Sequence, residues 1–150
     1  MPDTPDVEPE TRTAPLPGGK MVLSEILTSL SVSVRPEPYV VVALPAGKAV
    51  PVVGGDIGAV IEEAEGTTVI ATMSRAAHEG WSHDFVASWL TLDVHSALEA
   101  VGLTAAFSRQ LGRAGIPCNV IAGFFHDHIL VPIDKTDAAV EVIEALGTQN

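Results

Sequence analysis

The chain has 150 residues, 47% of them hydrophobic, enough to bury one good core or two small fused modules. Its net charge of -11 excludes the basic surface that nucleic acid or an anionic membrane requires, and leaves a small cationic or zwitterionic ligand open. No apolar run approaches the roughly 20 residues of a bilayer span, the N-terminus lacks the order of a signal peptide, and Cys118 is the only cysteine, so a cytoplasmic protein without an intramolecular disulfide is expected.

Met1 to Lys20 holds five prolines, four acids and few large apolar side chains, and is expected to be a disordered tail. Leu23, Ile26, Leu27 and Leu30 then recur at helical spacing, with Ser24 as a candidate cap. Ser31 to Arg35 alternates polar and apolar residues, Pro36 and Pro38 interrupt any ladder, and Tyr39 to Leu44 is a β-branched run of the kind that forms a buried strand. Pro45 to Gly55, rich in glycine and proline, predicts a loop.

After it, Asp56 is placed to cap a helix with Ile57, Val60, Ile61 and Ala64 on one face and Gly66 at its end. Glu62, Glu63 and Glu65 would solvate the outer face of that helix. Thr67 to Met73 predicts a strand. Ser74 to Asp84 has no clear period and predicts a loop, with Trp81 either a lid on the core or part of a binding edge. Val86 to His95 reads as a strand. Leu103, Phe107, Leu111 and Ala114 line one face of a helix capped by Thr104, with Arg109 and Arg113 toward its negative end and Gly115 as its stop. A strand from Ile116 to Phe125, a turn at His126 and Asp127, a strand from His128 to Ile133 and a helix opened by Asp137 complete the order.

Strand, helix, strand, strand, helix is five sixths of a βαββαβ unit, so the fold class is α+β and ferredoxin-like. The missing strand must come from the N-terminal half, where Ser31–Arg35, Tyr39–Leu44 and Thr67–Met73 are candidates. Two interleaved modules with antiparallel sheets and helices on one face are therefore expected: a tail over 1–20, an N-terminal half over 21–84 and a C-terminal module over 85–150.

Three features could carry chemistry. The loop His95 to Thr104 joins a strand to a helix start, whose unpaired N–H groups and positive dipole end can hold a ligand carboxylate, while Glu99 could receive an ammonium group. The plainer alternative is that Gly102 permits a turn and Ser96 satisfies local backbone groups. Second, His126 and His128 lie two apart, and with His83, Asp84 or His95 they could make a divalent-metal site; as turn residues bonded to backbone they need no metal. Third, a serine or Cys118 could be a nucleophile with a histidine base. The chain has no G-x-S-x-G elbow, phosphate loop or dinucleotide fingerprint, so no catalytic residues, metal or cofactor are assigned.

The stretch VHSALEAVGLTAAFSRQLGRAGIPCNVIAGFFHDHILVP resembles the ACT-domain family, in particular its small two-module bacterial members. Those are similar to the regulatory modules of aspartate kinases and to cytosolic arginine sensors. The likeness is close over Thr91 to Pro132 and looser over Glu62 to Thr68 and from the early helix through Leu44. It implies a pair of modules that binds a small effector, commonly an amino acid, at a seam between modules or subunits; a non-enzymatic regulator acting as a homodimer or through a partner protein is expected, with a ligand-free assembly module as the alternative. The matching positions are His95, Ser96, Gly102, Leu103 and Thr104 in the loop and Phe125, His126, Asp127 and His128 at the turn. The chain departs from sensor-type members at that turn, where FFHDH replaces small hydroxyl and acidic residues.

Overall fold

Alternation within the β-branched runs sets the architecture, because a strand presents successive side chains to opposite faces of its sheet. In a computed structural model describing residues 22–95, 97 and 100–149, seven strands form one sheet. The expected tail, Met1 to Lys20, lies outside the described residues, as do Ser96 and Glu99. The strands are β1 (Val32–Val34), β2 (Tyr39–Pro45), β3 (Ile57–Glu62), β4 (Gly66–Thr72), β5 (Val86–Leu92), β6 (Asn119–Ala122) and β7 (Asp127–Pro132). Their order is β3-β4-β2-β5-β7-β6, with β1 also on β5, and every pairing is antiparallel.

The strand missing from the second half is supplied by the first. One edge of β5 is taken by β7; along the other, β2 pairs with Val86 and Ala87, and β1 with Leu90 to Leu92. The halves are thus interleaved through β5.

The helices α1 (Leu23–Thr28), α2 (Met73–Glu79), α3 (Leu103–Arg113) and α4 (Thr136–Ala145, after a 3-10 turn at Ile133–Lys135) share one face. Ala76 of α2 packs on Val40, Val42, Val69 and Ala71. Leu90, Leu92, Ile129 and Val131 meet Ile26, Phe107, Leu111, Ala139 and Ile143 of the other three helices. Val40 pairs with Val86, whose parity Leu90 and Leu92 share, so both clusters lie on the same side of the sheet. This is an α+β, ferredoxin-like arrangement of tandem modules.

The opposite face carries no helix, yet Tyr39, Ile70, Ala87, Trp89 and Leu130 are buried there. The sheet curls over them. A bulge between Ile57 and Ala59 brings Gly58 against the indole: a Cβ at Gly58 would lie 2.5 Å from Trp89 Cζ3.

The structure departs from three expectations. Asp56 to Gly66 is a hairpin arm, not a helix: Val60, Ile61 and Glu62 pair with Val69, Thr68 and Thr67, and the Glu63 N–H donates to the Gly66 carbonyl at 2.8 Å. Apolar residues in so short a run fit either period, and pairing with the β-branched β4 decides for strand. Ser74 to Asp84 is not all loop. The Thr72 hydroxyl accepts from the Arg75 N–H, Gly80 ends α2 in the left-handed region at φ 69°, and Arg75 pairs with Glu79 at 2.9 Å. The proposed caps Ser24, Thr104 and Asp137 also fail: Val22, Gly102 and Lys135 hold those positions, none with a side-chain cap bond. Among the described residues no helix is long and apolar enough to cross a membrane.

Candidate functional site

Spacing of Leu103, Phe107 and Leu111 buries one face of α3 and so fixes where its first turn lies. Gly102 precedes it at φ 110°, a conformation that side-chain-bearing residues rarely adopt. A Cβ there would also come within 3.0 Å of Leu23 Cδ2 on α1. Gly102 has no side chain with which to cap the turn and no side chain among the described residues does so, which leaves the positive end of α3 open to another acceptor.

Facing it is the β6–β7 hairpin. The Gly123 N–H donates to the His126 carbonyl at 2.9 Å, and Ala122 pairs with Asp127. A cavity of about 90 Å³ separates the two elements, with Ala97, Ala100, Leu103 and Thr104 on one side and Ala122, Gly123 and Asp127 on the other. Burial raises the pKa of Asp127 from its ordinary value, and nearby His126 partly opposes this. An uncapped helix start and a half-buried carboxylate in one cavity match opposite ends of a zwitterion.

The expected site residues divide. Leu103, Thr104 and Asp127 line the cavity, Gly102 borders it as the cap of α3, and Ser96 lies outside the described residues. The other four are not among the lining residues. His95 packs its ring at 6.1 Å from Phe124 and 5.7 Å from Phe125, both half-exposed. His126 Nδ1 lies 3.4 Å from the Val94 carbonyl. His128 is one residue on from Asp127 and so sits on the helix-free face, where Nδ1 and Thr91 Oγ1 are hydrogen-bonded at 2.9 Å and its ring is 5.4 Å from Trp89. Burial, then Arg35 and His126, lower the pKa of His128 and favour the neutral ring. Among the described residues no three His, Cys, Asp or Glu side chains are grouped to hold a metal. Burial raises the Cys118 thiol, leaving it less reactive than a free thiol.

Ala97, Ala100, Ala122 and Gly123 are the lining residues that the sequence did not single out. They carry no chemical signal; only their smallness beside Gly102 and the turn could have marked them. Larger hollows exist on the first half, including an open groove of about 480 Å³ lined by Lys48, Val50, Val60, Glu62 and Glu63 among others. That groove lies between the 46–56 stretch and the β3–β4 hairpin, others lie against the seven-residue α2, and no helix of eight or more residues begins at any of them.

Residues 85–145 and 18–88 each match a model of the ACT domain. Among solved structures, a Vibrio cholerae protein of unknown function, described as a possible transport protein, is 33% identical; the match covers 83% of this chain and 95% of that one, with a TM-score of 0.70. An Agrobacterium tumefaciens protein is 17% identical, over 79% of this chain and 89% of its own, with a TM-score of 0.60. The regulatory subunit of aspartate kinase from Thermus thermophilus, in its ligand-free form, shares the fold at 7% identity, over 80% of this chain and 98% of that one, with a TM-score of 0.56. No curated protein sequence matches. With both halves matching the same domain, the chain belongs to the ACT-domain family.

Proposed function

We propose that this protein is a non-enzymatic, cytoplasmic regulator that binds an amino acid or a similarly zwitterionic metabolite between the start of α3 and the β6–β7 turn. One observation carries the reading: the uncapped N-terminus of α3 and Asp127 border the same cavity. A ligand carboxylate would take the free N–H groups of the first turn, and its ammonium would meet Asp127. Membership of the ACT-domain family and the likeness to aspartate kinase regulatory subunits support a regulatory role.

About 90 Å³ is small beside the roughly 300 Å³ at which typical ligand pockets begin, so the cavity is read as half of a seam. Support for a second wall lies next to it. β6 is an edge strand, and Phe124 and Phe125 stand about half exposed beside its turn, at 50% and 51%. A second copy or a regulated partner closing over this edge would complete the site and transmit occupancy.

Calorimetric titration against the twenty amino acids tests the reading, with light scattering on the same samples. Saturable binding of at least one amino acid is expected, together with a change in assembled size. Silence across the panel at millimolar ligand would overturn it.

A further inference from the structure

On the helix-free face, Arg35 lays its guanidinium over Trp89, with Cζ 3.9 Å from the ring centroid. One nitrogen, Nη1, donates to the Tyr39 hydroxyl at 3.0 Å. Among the described residues nothing takes the Nε–Nη2 edge, two parallel N–H groups, and the single ion pair is Arg75 with Glu79. Beside it, the indole N–H of Trp89 is buried and has no hydrogen-bond partner, in a residue only 2% exposed. The Tyr39 hydroxyl already accepts from Arg35, so its own proton is also free to be donated.

These are donors without an acceptor. Of the nearby acids, Asp93 accepts from the Ser33 hydroxyl at 3.2 Å, and neither it nor Glu37 pairs with Arg35. An unpartnered buried N–H is costly and rare, and an arginine whose fork is empty matches the planar, two-oxygen geometry of a carboxylate.

We propose that Arg35, Trp89 and Tyr39 form a second binding site, for small carboxylate anions, on the face of the sheet opposite the helices. The anion takes the free edge of Arg35 head-on and accepts from the Tyr39 hydroxyl. Trp89 is the platform on which Arg35 is stacked, so an anion held by the guanidinium is felt at the indole N–H. This site is separate from the cavity at Asp127, because Asp127 and His128 project to opposite faces of β7 and Trp89 lies on the side of His128.

Acetate is the discriminating probe: it has a carboxylate and no ammonium for Asp127. At constant ionic strength maintained with chloride, the Trp89 indole N–H resonance should move saturably with acetate, while that of Trp81 serves as control. Arg35→Lys keeps the charge but loses the fork, and acetate binding should weaken by about tenfold or more. Tyr39→Phe removes one donor from a face that stays packed, and should weaken binding severalfold, a second arm that stands if Arg35→Lys folds poorly. Asp127→Asn should leave acetate binding unchanged. The proposal is overturned if chloride moves the Trp89 resonance as acetate does, if Arg35→Lys and Tyr39→Phe bind as the parent does, or if Asp127→Asn abolishes the response.

Discussion

The two halves build the same hairpin and dress it differently. In the first, β3, β4 and β2 run inward from one edge; in the second, β6, β7 and β5 run inward from the other. Each last hairpin strand leads into a helix, α2 or α4. Between β5 and β6, however, the second half inserts the eleven residues of α3, whereas between β2 and β3 the first half has only the stretch 46–56. A hairpin turn therefore exists twice, and a helix start opposes it once. The first half leaves the wider groove, about 480 Å³ against about 90 Å³, but walls it with exposed Val50 and with Glu62, Glu63 and Lys48. What distinguishes the second half is a helix start facing a carboxylate across the cavity, and not size.

The packing under α3 carries the most stability. Phe107 is wholly buried, and Phe107→Ala should cost about 3–5 kcal/mol. Because β1 and β2 both pair with β5, that loss should appear as a shift of one denaturation transition followed by fluorescence and by circular dichroism. Two separated transitions would mean that the halves fold independently. Next is Gly58→Ala in the first half, where the added carbon would meet Trp89 from 2.5 Å; overpacking there should cost about 1–3 kcal/mol, read from the same denaturation curves.

Smaller effects come from titration. Burial holds the Asp127 carboxyl above its unfolded value of 3.8, so the folded chain binds that proton more tightly. Stability from this source is lost as pH rises through the folded value, and Asp127→Asn should be no less stable than the parent at neutral pH, with the gap closing toward acid. His128 has the opposite sign relation: its folded value lies below 6.5, so the unfolded chain takes the proton first as pH falls, and stability declines below that point. His128→Gln should flatten that acid-side decline, measured by melting temperature against pH.

Legibility in the sequence followed burial. Tyr39 to Leu44 and the Leu103, Phe107, Leu111 stripe are strong patterns because each buries a continuous face, and both elements are where the sequence puts them. α2 was hidden because only Ala76 on it is fully buried, leaving no period to detect. β3 was misread because its apolar residues also fit helical spacing, and its identity rests on a neighbour, β4. At the site, Gly102 and the turn at Asp127 stood out by chemistry. The alanines that hollow the space did not, since a cavity is made by what side chains lack. The stacking of Arg35 on Trp89 was equally invisible, because two strands distant in sequence meet only once β1 joins β5.

Amide chemical shifts show where on the chain a ligand sits. With the amino acid that binds best, the perturbed resonances should centre on Leu103, Thr104, Gly123 and Asp127, and Asp127→Asn should abolish them. Shifts centred instead on the first-half groove around Val60 and Thr67, or binding that survives Asp127→Asn unchanged, would contradict the account.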